Sequence, residues 1–215
     1  MKIPINHELL VNSLVAMPNN LTIDRFQELC EIGSRTATIE LLNYLKELGI
    51  GHISKDSVYF SEKDKLDTIL LAMRHGCDPE DLSKKLKWND FELFTSLLIE
   101  SVGYTYERNV VFSKPRIKID VIGFYRKIAL LIDCKHWMKM YDFNVLRFSL
   151  NQTKRAQIFM DKRRDIDAAI PVIVTFHEYK YNFSNKIPIV PISRFKQFLQ
   201  NFPFYLDKLD LIQRQ

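Results

Sequence analysis

Glycine and proline are sparse, 6 and 8 in 215 residues, and no repeat or low-complexity run is present. That combination excludes fibrous and disordered chains. Long apolar runs are missing too. No run exceeds the five residues of Ile128 to Ile132, far short of the roughly 18 that cross a bilayer, so no membrane partner is expected. Met1-Lys2-Ile3-Pro4 has no continuous apolar block behind it, so a secretory leader is not expected and a cytoplasmic location is. Cysteine is scarce: Cys30, Cys77 and Cys134 are odd in number and far apart. They offer neither a disulfide framework nor the paired spacing of a zinc site, and read as buried free thiols.

What remains is a globular composition, 47% hydrophobic and 27% charged, enough for one large domain or two small ones. The net charge of +5 is unevenly spread. Residues 1 to 76 carry 8 Lys and Arg against 10 Asp and Glu, a balance of −2, whereas 77 to 215 carry 23 against 16, a balance of +7. Polyanion binding therefore belongs to the second half.

Helical spacing over His7 to Met17 closes at Pro18, Thr22 can cap a second helix, and Ser34 to Leu48 reads as a third. Ile39, Leu42, Leu45 and Leu48 are expected to line its buried face, with Arg35, Thr36, Thr38, Glu40, Asn43 and Glu47 exposed. Ile50 to Phe60 then reads as a hairpin turning at Lys55-Asp56-Ser57. Three helices and a hairpin resemble the winged helix-turn-helix module. A groove-reading helix normally offers more Lys and Arg to phosphates, so contact with DNA and contact with protein both stay open for this segment.

Lys63 to His75 is a further helix, and Asp78-Pro79 is a cap and first helical residue. The domain boundary is placed near residues 76 to 88, giving domains 1–76 and 77–215. Trp88 to Val102 forms a helix ended by Gly103. Strands are expected at Tyr104 to Phe112, Arg116 to Tyr125 and Ile128 to Lys135, the last two as a hairpin around Arg126-Lys127. A long helix from Val145 to about Lys162, strands at Pro171 to Phe176 and Ile187 to Pro191, and helices at Ser193 to Asn201 and Tyr205 to Leu211 complete the chain. This order describes an α/β sandwich with a central mixed sheet.

Strand alternation puts Asp133 and Lys135 on one face and Cys134 on the other. Asp120 lies between Ile119 and Val121 and faces away from both. Buried carboxylates are costly unless paired or bound to a cation. A divalent metal supplies one, and hard oxygen ligands favour Mg²⁺ or Mn²⁺ over zinc. Phosphodiester hydrolysis explains the set: a metal on Asp120, Asp133 and the backbone carbonyl of Cys134 activates water and offsets charge, and Lys135 orients the water or stabilises the phosphate. A helix carboxylate completes the arrangement directly or through water.

Phe91-Glu92, Gly103-Tyr104, Ile119-Asp120-Val121-Ile122-Gly123 and Leu131-Ile132-Asp133-Cys134-Lys135 occur in that order. The ordered set resembles the PD-(D/E)xK nuclease superfamily, and within it the Mrr-type restriction endonucleases and archaeal Holliday-junction resolvases. The resemblance covers about residues 88 to 177. It implies a restriction-endonuclease-like fold and a metal-dependent DNA endonuclease. Glu92 would be the helix carboxylate, Asp120 and Asp133 metal ligands, and Lys135 the catalytic lysine. Glutamate is more frequent in that superfamily where Asp133 stands. Gln152, or failing it Gln157, matches a glutamine often found on the following helix. Many members act as homodimers, but no interface can be read here.

Chance alternatives exist. Glu178-Tyr179-Lys180 repeats the acidic-x-Lys triplet without an Asp-bearing hairpin before it, and Glu100 competes with Glu92 from a different turn. Arg116 and Lys118 flank Asp120 and are expected to meet nucleic acid, as are Lys154 and Arg155 on the helix. His136, with Trp137 beside it, either meets substrate or packs over the site; Lys162-Arg163-Arg164 could track a phosphate backbone, although such a run on a helix is ordinarily a solvated face. The competing function is a non-catalytic DNA-binding or regulatory protein that retains the nuclease fold.

Overall fold

A computed structural model describes residues 7–135, 142–176, 178–204 and 206–214. The chain divides into two compact units, Met1–Leu86 and Lys87–Gln215. No described helix is long and apolar enough to cross a membrane.

The first unit runs α1 (His7–Ser13), a short 3₁₀ turn, β1 (Asn20–Thr22), α2 (Ile23–Leu29), α3 (Arg35–Glu47), β2 (His52–Ile53), β3 (Ser57–Tyr59), α4 (Glu62–Arg74) and α5 (Pro79–Lys84). Thr22 caps α2 by accepting from Arg25 N, and Ser34 caps α3 by accepting from Ala37 N. Ser61 and Asp64 close a reciprocal capping box on α4. The three strands form an antiparallel sheet in the order β1-β3-β2.

On α3 the buried residues are Thr38, Leu41, Leu42 and Leu45, while Ile39 and Leu48 are exposed. This corrects the expected face. Residues three apart fall 60° further back on each step of a 3.6-residue helix, so the row from Ile39 to Leu48 winds out of the core. Thr38 goes inward because its hydroxyl donates to Ser34 O at 3.0 Å, leaving its methyl to pack.

The second unit holds α6 (Trp88–Ser101), β4 (Thr105–Ser113), β5 (Arg116–Tyr125), β6 (Ile128–Lys135), α7 (Asp142–Lys162), β7 (Ala168–Thr175), β8 (Phe183–Ser184), β9 (Ile187–Pro191), α8 (Ile192–Asn201) and β10 (Ile212–Gln213). Its strands form one mixed sheet in the order β4-β5-β6-β7-β9-β8, with β10 also on β7. The β4-β5-β6 meander is antiparallel, and β6-β7-β9 is parallel. Helices cover both faces, which is why β6 and β7 carry no polar residue before Asp133 and Thr175 respectively. Ala129 and Leu131 pack with Ala156 and Phe159 of α7, whereas the Cys134 thiol meets Thr95 of α6.

Pro171 lies within β7, where a missing N–H would normally break a ladder. On its far side β7 pairs with β10 at Ala168 and Ala169 and with β9 from Ile173 on, so Pro171 falls in the gap between them. The helix expected at Tyr205 to Leu211 is replaced, among the described residues, by a 3₁₀ turn at Leu206–Lys208. Asp210 N donates to Lys186 O and the chain continues into β10, a tertiary pairing that the local pattern did not carry.

Candidate active site

The site forms where the β5-β6 hairpin opens. The ladder runs from Tyr125↔Ile128 to Val121↔Ile132 and stops there, one step before Asp120 would meet Asp133. On the other side, β4 and β5 pair at Arg108↔Val121 and at Val110↔Ile119 but not between. The skipped β4 residue, Asn109, has left-handed backbone (φ 52°), a conformation asparagine tolerates better than most residues. Asp120 thus has no ladder partner on either side. Its Oδ2 instead accepts from Cys134 N at 3.1 Å, so the side chain stands in for the ladder bond lost as the strands separate.

Asp133 is buried on the α7 side of β6, 4% exposed. Its Oδ2 lies 2.7 Å from Lys135 Nζ, two residues along the same face, and its Oδ1 accepts from Arg155 Nη1 at 3.0 Å. Lys135 also stands over the Phe148 ring, 4.6 Å from its centroid. Gln152, buried one turn before Arg155, donates through Nε2 to Leu131 O (3.0 Å) and Val172 O (3.2 Å). Its Oε1 accepts from the same Arg155 Nη1 at 2.9 Å. Gln152 therefore ties α7 to β6 and β7 and aims Arg155 at Asp133.

On the other flank, buried Glu92 of α6 and Asp120 are bridged by Lys118, whose Nζ lies 3.8 Å from Glu92 Oε1 and 3.7 Å from Asp120 Oδ1. Burial, and next the charge of Asp133, hold the Asp120 carboxyl above its ordinary value. Glu92 adds to that rise, while the Cys134 N–H and Lys118 oppose it. Burial pushes the Cys134 thiol well up, with the Asp120 charge next in effect. Burial also raises Cys77 and takes Cys30 to about 12. All three cysteines are free and buried.

The structure thus gathers Glu92, Asp120, Asp133, Lys135 and Gln152, in two groups joined by the Cys134 backbone. Of the residues expected to face nucleic acid, Arg155 bonds Asp133, and half-exposed Lys118 lies 3.7 to 3.8 Å from Asp120 and Glu92. Arg116 and Lys154 are exposed. His136 and Trp137 fall outside the described residues. Glu100 is exposed at the far end of α6, and Glu178 is taken by Arg194 at 2.7 Å. Residue-by-residue reading missed Arg147, Phe148 and Asn151, which line a cavity with Asp133, Lys135 and Arg155. The recurrence of Arg147, Asn151 and Arg155 every four residues along α7 was the available clue.

Among the described residues no three His, Cys, Asp or Glu side chains are grouped as a ready-made metal cage. Each carboxylate is instead met by one of the chain's own cations: three acids, Glu92, Asp120 and Asp133, face Lys118, Lys135 and Arg155. The donor chemistry nonetheless fits a small hard cation. Asp120 and Asp133 offer largely covered carboxylate oxygens, their side chains 14% and 5% exposed, which are the hard donors such a cation takes.

No family model and no curated protein sequence matches this chain. Solved structures similar to it include the Vibrio cholerae protein VC1899 (15% identity, TM-score 0.43), covering 94% of this chain and 51% of that one. The small subunit of the heterodimeric restriction endonuclease R.BspD6I matches at 16% identity and TM-score 0.39, over 60% of this chain and 76% of its own. Can2 from Sulfobacillus thermosulfidooxidans, in complex with cyclic tetra-adenylate, matches at 10% identity and TM-score 0.37, over 94% and 51%. The chain spans about half the length of the Vibrio and Sulfobacillus proteins. Function is therefore argued from the side chains themselves.

Proposed function

We propose that the second unit is a metal-dependent DNA endonuclease that hydrolyses phosphodiester bonds. The observation that carries this reading is the meeting of Asp120 and Asp133 where the hairpin opens, with Lys135 on Asp133 at 2.7 Å. Asp120, Asp133 and the Cys134 carbonyl would hold Mg²⁺ or Mn²⁺, with Glu92 nearby. When bound, such a cation supplies Lewis acidity toward a phosphate oxygen. Lys135 is the chain's own contribution: its ammonium is fixed by Asp133 and Phe148, placed to hold the attacking water or to meet charge developing on the phosphate. Glu92, buried beside Lys118, is placed to hold a proton-bearing water on the other flank.

Incubating the full chain with duplex, single-stranded, flap and four-way-junction DNA and Mg²⁺ tests this. Cleavage that disappears in Asp133→Ala and Lys135→Ala supports the reading; cleavage that survives both removes it. A second reading, a DNA-binding protein without catalysis, is favoured by one observation. Asp133 has both oxygens satisfied internally, which a purely structural ion network would also show. That reading requires DNA binding with no cleavage under any divalent metal.

For the first unit we infer a winged-helix-like contact module. The exposed face of α3 holds Thr36, Ile39, Glu40, Asn43 and Glu47 with two cations, Lys46 and Arg35, the latter paired with Asp24, and so few cations favour a protein partner over phosphate. Cutting both strands of a duplex calls for two copies of the chain, so sedimentation with DNA is expected to show a homodimer.

A further inference from the structure

Asp133 is committed on both oxygens in the free protein, to Lys135 and to Arg155. The two commitments differ. Lys135 is largely covered and lies on the same strand, while Arg155 is about a third exposed (32%) and borders the cavity that Arg147 and Asn151 also line. Arg155 Nη1 bonds to Asp133 and to Gln152, and the Gln152 amide is anchored to two strand carbonyls. Gln152 thus stays in place whether or not Arg155 remains on Asp133.

We propose that Arg155 is an exchangeable plug. It neutralises Asp133 in the free protein and turns to a backbone phosphate of bound nucleic acid, releasing Asp133 Oδ1 for the divalent cation. This rests on the nuclease reading above. Charge balance supplies the reason. Among the described ion pairs there, Glu92, Asp120 and Asp133 balance Lys118, Lys135 and Arg155, so a divalent cation adds two positive charges that these pairs do not offset. Phosphates entering the neighbouring cavity carry the compensating charge. There Arg147 already presents a second guanidinium, packed over Phe148 at 5.5 Å from the ring centroid. Arg155 is the cation free to follow them, since a guanidinium serves a carboxylate or a phosphate equally well in geometry. Cation and nucleic acid then bind cooperatively, each raising the affinity for the other by the same factor.

The test is a Mn²⁺ titration of the full chain, read as loss of the free-ion electron paramagnetic resonance signal. It is run with and without a short phosphorothioate duplex. For the wild type, DNA is expected to tighten Mn²⁺ binding on the order of tenfold, within the usual range of such couplings. Arg155→Gln is expected to bind Mn²⁺ about tenfold more tightly without DNA, and to lose most of the DNA-dependent gain. If that variant melts early, Arg155→Lys replaces it; its unforked ammonium is expected to shift both quantities in the same direction. Arg155 variants that bind Mn²⁺ no more tightly than wild type, or that keep the full DNA-dependent gain, overturn the plug. If the wild type still binds Mn²⁺ and cuts DNA in that case, the nuclease reading stands without it. If Mn²⁺ binds neither with nor without DNA, both fall.

Discussion

The two flanks of β6 hold their carboxylates in opposite ways. Toward α7, Asp133 is buried and gripped at 2.7 and 3.0 Å by Lys135 and Arg155. Toward α6, Glu92 and Asp120 share one half-exposed lysine at 3.7 to 3.8 Å, a spacing too long for a good hydrogen bond. The contacts are short on one flank and long on the other, where burial first, and then the charge of Asp133, hold the Asp120 carboxyl above its ordinary value. Short, well-made contacts fix geometry, whereas longer ones constrain it less.

The largest effect is expected from making the tight flank fail. Lys135→Ala and Asp133→Asn should each lower the cleavage rate by at least about 10²-fold, the scale of losing a charge-stabilising group. Lys118→Ala should cost less than about tenfold, because a half-exposed, loosely held lysine contributes little. Equal losses on both flanks would erase the distinction. Next comes Gln152→Ala, which leaves Leu131 O, Val172 O and the Arg155 guanidinium short of a partner. We expect a loss of about 1–3 kcal/mol in denaturant unfolding.

Asp120→Asn sharpens the comparison from the loose flank, with the opposite sign. A raised carboxyl means that the folded chain keeps its proton to higher pH than the unfolded chain. Stability is then lost as pH rises above the ordinary value of 3.8 and through the folded one. The amide removes that loss. Asp120→Asn should melt higher than wild type at pH 7, by roughly 2–4 °C for each kcal/mol gained. The two melting curves should converge toward pH 4. A variant that melts lower at pH 7 would show the carboxylate to be stabilising. The smallest effect is expected at Arg25→Ala, in the first unit. Arg25 pairs with exposed Glu28 on the same helix, and its removal should cost under about 1 kcal/mol by thermal unfolding.

Much of the second unit could be read directly from residues. β5, β6 and β9 begin and end where the apolar runs and turns put them, because short strands between polar turns leave little choice of boundary. Asp133 and Lys135 share a face by alternation alone. Other features depend on tertiary pairing. β7 begins at Ala168, three residues before the proline that seemed to start it, because β10 and β9 leave Pro171 a gap. The contacts of Lys118 and Arg155 with the site's carboxylates were hidden for a related reason: a long cationic side chain there can meet solvent, a buried acid or both, and only the fold decides. The ladder gap at Asp120 depends on Asn109, eleven residues earlier and unremarkable in sequence.

Cys134 sits between the two residues that matter most, and its thiol faces away from both, sealed against Thr95. A thiol this reluctant to ionise is a poor target for peroxide, alkylating reagents or soft metals such as Cd²⁺. The protein therefore carries a sulfur atom at the centre of its candidate active site without inheriting sulfur's vulnerability to oxidation. Maleimide should leave Cys134 unlabelled in the folded chain and modify it only after denaturation.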